Sequence, residues 1–229
     1  MSKKERVLSW ILLVLCAAPI LTAVVGVQFL PDQIPVHYNA AGEIDRWGSK
    51  YEELVLGVCF SLSGWILWLV SRFSGAFADT ETERVQARAN AHIVRVIGIA
   101  VQLFLTVLEV VMLIGAAQEA AAGAVVSSIP FYKIMGIGCG ILFLVLGNIM
   151  PKTKPNPIMG VRLPWLEDHP EAWRKSQRAG GIAFAAAGAL CLVLSLFLQG
   201  AALFWVIMIC ALGAAVVSCI VSLRFSRAQ

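Results

Sequence analysis

Six stretches of the chain are apolar on nearly every helical face: approximately 7–30, 54–73, 96–117, 131–150, 180–199 and 201–223. Each has close to the roughly 20 apolar residues that a helix needs to cross a hydrocarbon core about 30 Å thick. Lipid offers no partner for backbone N–H and C=O groups, so the runs must be helices, and the missing two-residue alternation argues against a barrel. The expected fold is all-α: a polytopic bundle of six transmembrane helices.

Composition supports this. Of 229 residues, 59% are hydrophobic and 14% charged, where soluble domains sit nearer half apolar and a quarter charged. A water-soluble globule and a disordered chain are both excluded. The net charge of +4 is modest, and the basic residues sit between apolar runs, so no direct nucleic-acid binding is expected. Cys16, Cys59, Cys139, Cys191, Cys210 and Cys219 fall inside apolar runs without metal-ligand spacing, and read as small apolar fillers.

Charge placement predicts the orientation. Of the 18 lysines and arginines, Arg46, Lys50 and Lys133 lie on the connections after spans one and three; all others lie at the termini and the connections after spans two and four. The positive-inside rule then places both termini in the cytoplasm. Lys3, Lys4 and Arg6 resemble the start of a signal peptide, but the following run is too long for one. Leu15 before Cys16 also fits lipoprotein processing poorly. The reading is an uncleaved first span, kinked at Pro19.

Three connections are long enough for recognition. The outer loop 31–53 opens with Pro31 and Pro35, which keep the chain extended, and Asn39 with Gly42 brackets a turn. It presents either a recognition surface with His37, Tyr38 and Asn39 or a rigid interfacial connector. His37 has no second histidine at ligand spacing, so neither metal nor cofactor is expected. The outer stretch 118–130 reads as a spacer. In the inner loop 74–95, Thr80 and Glu83 form a capping-box signature. Arg84, Arg88 and Arg95 recur near one face of what reads as an extension of the third helix, close to anionic headgroups. In the inner loop 151–179, Asp168 and Glu171 suggest a second capping box before a short helix carrying Trp173. That segment either lies on the inner leaflet or forms a folded cap with Asn156, Gly160, Arg162 and Trp173.

Gln102, Thr106 and Glu109 make a polar stripe within the third span. A carboxylate at that depth costs a few kcal/mol, so such residues face the bundle interior and often mark function. Glu109 is either interhelical glue or a proton or ion relay. Small residues, Gly136, Gly138, Gly140 and Gly147 in the fourth span with Gly181, Ala185 and Ala189 in the fifth, predict close helix packing.

The outer loop, Pro31 to Gly42, resembles a membrane domain of unknown function with the signature P-x-x-I-P-x-H-x-N-x-x-G. The stretch from Asn156 to Lys175 resembles the N-P-x-x-G-x-R-x-P-W … W-R-K segment of the SdpI family. Residues 1–73 would then hold two spans and the outer loop, and 74–229 an SdpI-like four-helix region. The resemblance implies a multi-pass protein of the bacterial cytoplasmic membrane. It further implies immunity through binding or sensing an extracellular toxic peptide, with a cytoplasmic transcriptional repressor as a further partner. The alternative is a small-molecule or ion transporter using Glu109. No enzyme is expected: neither a Ser-His-Asp order, H-E-x-x-H nor a P-loop is present, and His37 and His169 fall on opposite sides of the membrane.

Overall fold

The computed structural model describes residues 2–39, 41–77, 80–127, 129–156, 160–161, 163, 166 and 169–226. Its elements are α1 (Lys3–Gly26), β1 (Gln33–Tyr38), β2 (Ile44–Ser49), α2 (Glu52–Phe73), α3 (Glu81–Ala122), α4 (Phe131–Ile149), α5 (Pro170–Phe197) and α6 (Ala201–Ser226). Among the described residues, six helices are long and apolar enough to cross a membrane, matching the expected spans. Large apolar side chains such as Trp10, Val14, Leu62, Ile209 and Leu212 stay exposed along them, as lipid-facing positions require.

The helices pack as two groups. α1, α2 and α3 contact one another; α5 packs on both α4 and α6; α3 also meets α4. One end of the bundle carries the β-hairpin, segment 123–130 and the turn at Gly200. The other carries the start of α1, the end of α6 and the described residues of loop 150–169. We call them the hairpin end and the terminal end.

Local chemistry explains the boundaries. Ser2 Oγ accepts from Glu5 N at 3.2 Å and Thr80 Oγ1 accepts from Glu83 N at 3.2 Å, so the expected capping serves α3. The 42 residues of α3 reach about 63 Å, twice the hydrocarbon thickness, which makes its first turns an extension beyond the span. Gly123 closes α3 with φ +58° and Gly200 turns α5 into α6 with φ +59°, conformations that favour glycine. α1 continues through Pro19. Ser61 Oγ of α2 accepts from the next amide, Ile20 N, at 3.1 Å, where the proline interrupts the ladder.

Close backbone approach joins α4 to α5. A Cβ at Gly147 would stand 2.6 Å from the Gly181 carbonyl, and one at Gly181 would stand 2.6 Å from the Gly147 carbonyl. Gly138, on the same small-residue run, instead accommodates Phe104 of α3. Cys191 and Cys210 lie in the α5–α6 core as apolar fillers, and the six cysteines are free thiols.

Four expectations change. The first apolar run leaves the helix after Gly26, because Val27 and Leu30 turn back to pack with Ile34, Leu113 and Ala116. The extended outer loop pairs with itself as a hairpin, so the otherwise helical fold carries two strands. Segment 118–130 is not a spacer: α3 occupies its first turns, and Ile44 N and Gly42 O bond Val125 O and Ser127 N. The helix with Trp173 does not lie on the leaflet; it continues unbroken into α5 with Trp173 1% exposed.

Candidate functional site

The hairpin is built by its turn. Asn39 Oδ1 accepts from Ala41 N and Glu43 N, its Nδ2 donates to Glu43 Oε2, and Gly42 takes φ +84°. The Asn39–Gly42 bracket read from the sequence is this turn. The register pairs Pro35 with Trp47, His37 with Arg46 and Tyr38 with Ile44, skipping Val36 on one strand and Asp45 on the other. The skipped Asp45 swings beside His37, with Oδ1 2.6 Å from Nδ1. Both side chains are exposed, and among the described residues no cluster of three His, Cys, Asp or Glu converges to hold a metal. Lys50 bridges the hairpin base to Asp32 at 3.0 Å, and Arg46 reaches Glu52 at 3.0 Å.

Beneath the hairpin lies a cavity of 630 Å³. Pro35, His37, Asn39 and Gly42 contribute to one wall; Glu53 comes from α2, Met112 from α3, Tyr132 and Lys133 from α4, and Gly200 from the α5–α6 turn. Both helix groups therefore bound the same space. Its size suits a few side chains of a bound peptide or one small molecule. Of the residues singled out from the outer loop, Pro31 alone lies off this lining; it is exposed at the hairpin base.

Two acidic residues beside this cavity were not anticipated. Glu119 is 1% exposed near the end of α3; its Oε2 accepts from Tyr38 Oη at 2.7 Å and its Oε1 from Ser127 Oγ at 2.8 Å. Glu53 is buried in the first turn of α2, and its Oε2 has no hydrogen-bond partner among the described residues. The Tyr38 phenol is pushed well above its ordinary range by burial, then by its bond to Glu119 and the charges of Glu119 and Glu53. In sequence, Glu119 stands in an Ala-rich stretch and Glu53 looks like an acid complementing a helix start. Only the return of the hairpin over α3 gives them a common setting.

The polar stripe of α3 divides. Gln102 Nε2 donates to Phe60 O at 3.0 Å and Ser63 Oγ at 2.9 Å, tying α3 to α2; Thr106 Oγ1 donates to Gln102 O in its own helix. Glu109 is fully buried, and neither carboxylate oxygen has a hydrogen-bond partner among the described residues. Interhelical glue therefore describes Gln102 and not Glu109.

Asn156, Gly160 and Trp173 gather at the terminal end, far from the hairpin. Asn90 of α3 grips the Lys154 backbone twice: Nδ2 donates to the carbonyl at 2.9 Å and Oδ1 accepts from the amide at 3.0 Å. Asn156 Nδ2 donates to the same carbonyl at 2.7 Å, and Trp173 Nε1 donates to Thr153 O at 2.9 Å. Gln177 exchanges two bonds with the Val161 backbone, and Gly160, at φ +99°, packs against Gln177. Leu166, Ala172 and Trp173 form a small core beneath. The described residues of this loop thus form a folded cap linking α3 to α5. Arg162 and Asp168, named from the sequence, lie outside the described residues.

Residues 14–62, covering most of α1, the hairpin and the start of α2, match a domain of unknown function (DUF1648). Residues 152–222, covering the cap, α5 and most of α6, match the SdpI/YfhL protein family. An uncharacterized protein of Archaeoglobus fulgidus is 40% identical over 43 residues, which are 19% of this chain and 24% of that protein. The match thus spans about a quarter of that relative's length. No solved structure matches the chain. The hairpin-bearing segment is thus similar to the one family and the cap-bearing segment to the other, in the same order as the two motifs read from the sequence.

Proposed function

We propose that the protein confers immunity of the SdpI type, binding an extracellular toxic peptide at the hairpin end of the bundle. The supporting observation is the 630 Å³ cavity walled by both helix groups. A peptide segment lodged there touches α2, α3, α4 and the α5–α6 turn together. It can therefore favour one arrangement of the two groups over another, which is the thermodynamic requirement for sensing. Tyr38, Tyr132 and Phe131 offer aromatic surface for apolar or cationic side chains, and Glu53 supplies a negative charge. In this reading the termini face the cytoplasm of a bacterial cell, and the cap with Asn156, Gly160, Arg162 and Trp173 presents the altered surface to a transcriptional repressor. Cells expressing the protein are expected to survive an antimicrobial peptide that kills control cells. Filling the cavity with Ala41→Trp should remove protection without lowering the membrane level. Full protection by a variant with Pro35, His37, Asn156 and Arg162 all changed to Ala would overturn the reading.

A second reading rests on Glu109. A fully buried carboxyl without a hydrogen-bond partner among the described residues, in the same helix as buried Glu119, is an unusual feature for packing alone. It suits proton-coupled movement of a small molecule or ion. Proteoliposomes with Glu109→Gln should lose a proton-driven flux that the parent shows, and an unchanged flux would dismiss this role.

A further inference from the structure

We propose that the terminal end of the bundle holds a binding site for a phosphate group, formed by four arginines around a cavity of 690 Å³ between the end of α2 and the first turns of α3. Arg84, Arg88 and Arg95 fall at i, i+4 and i+11 on α3 and so share a face, while Arg72 arrives from the last turn of α2. Arg88 lies over the turn that joins the two helices: a Cβ at Gly75 would sit 3.4 Å from its Nε.

The charges are unbalanced. Among the described residues Glu5 is the carboxylate in the lining, and it is already engaged by Arg95 Nη1 at 2.8 Å and by His92 at 3.5 Å. Arg84 stands 3.7 Å from Glu81, an exposed pair of little consequence. Among the described residues Arg72 and Arg88 form no ion pair. Arg95 carries the second, independent observation. It is 3% exposed and lines the cavity, its Nη2 reaches Ser71 O at 3.5 Å, and its Nε–H has no acceptor among the described residues.

A buried donor without a partner and three converging cations both call for an oxyanion. Guanidinium groups present paired N–H donors that match phosphate oxygens two at a time, and a phosphate among them relieves their mutual repulsion. The cavity opens where the apolar run of α2 ends at the exposed Phe73, the level at which lipid headgroups sit. A phospholipid and a soluble phosphate ester offer the same chemistry there, so the test must separate them.

The full chain in detergent would be offered equal phosphatidylglycerol and phosphatidylcholine, and retained lipid counted by native mass spectrometry. A parallel arm would follow thermal unfolding with inorganic phosphate and pyrophosphate. Arg84→Gln/Arg88→Gln changes two exposed side chains and should keep the fold. It is expected to lose the bound anion by about 25-fold, at roughly fivefold per cation. Selective loss of phosphatidylglycerol identifies a lipid site; selective loss of stabilisation by the free anions identifies a soluble ligand. If the double variant unfolds, Arg72→Gln supplies the same comparison. Equal retention of every probe by parent and variants would overturn the proposal.

Discussion

The phenol of Tyr38, on the hairpin, donates to Glu119 of α3 across 2.7 Å, joining residues 81 positions apart in the chain. Ser127 donates to the other carboxylate oxygen. One buried acid thereby holds three segments of the hairpin end: strand, helix and the segment after it. Tyr38→Phe removes the bond while keeping the ring. It should lower stability in detergent by roughly 1.5–3 kcal/mol, the range for hydrogen bonds to charged groups. An unchanged unfolding temperature would show that Glu119 has no need of Tyr38.

The same pair has a pH signature. Since the folded phenol is held neutral above its ordinary value, its stabilisation is fully present below about pH 10 and is lost as pH rises through the elevated folded value. Absorbance titration should therefore give matching curves for the native protein and Tyr38→Phe up to about pH 10.5, slightly above the free-tyrosine value. Unfolding at that pH should release one additional phenolate from the native protein. A phenolate already missing from the folded variant's curve would contradict the burial of Tyr38.

Asn90→Ala should loosen the cap. It leaves the Lys154 amide without its acceptor, and Asn156 remains as the side chain bonded to the carbonyl. The bond is only part-buried, so its loss costs about 0.5–1.5 kcal/mol. Limited proteolysis within 151–169 should accelerate markedly, whereas cleavage in the hairpin should not.

Trp173 permits a graded comparison. Trp173→Phe loses the bond to Thr153 but fills much of the space, at about 1–2 kcal/mol; Trp173→Ala empties a buried site and costs about 3–5 kcal/mol. Equal small effects, read by thermal unfolding, would place the ring outside the core.

Glycine substitutions should separate packing from propensity. Gly147→Ala forces a methyl group against the Gly181 carbonyl and the Ala185 amide, so α4 and α5 must part, and stability should drop by at least about 1–3 kcal/mol. Gly213→Ala in α6 meets nothing within 4 Å and should be neutral or stabilising by up to ~1 kcal/mol. Similar unfolding temperatures for the two variants would remove the close α4–α5 approach.

The six spans, their capping at Thr80 and the turn at Asn39–Gly42 were readable because each depends on neighbours in the chain. An apolar run longer than a bilayer leaves the backbone one way to satisfy itself, and a side-chain oxygen three residues ahead of an amide caps it wherever the helix lies. The two loop motifs were likewise local, and the family matches fall on them. The acidic setting beneath the hairpin was hidden. Glu53 and Glu119 gain their meaning from Tyr38 and Ser127, and no spacing rule connects a carboxylate to a phenol 81 residues away. The same holds for Asn90 with Lys154 and for Arg72 with Arg88. Amino-acid order dictated the helices, since hydrogen bonding within a span is a short-range matter. Which charges are buried together, and which cavity they face, depended on how two groups of helices came to rest against each other, because desolvation and pairing are properties of the packed whole.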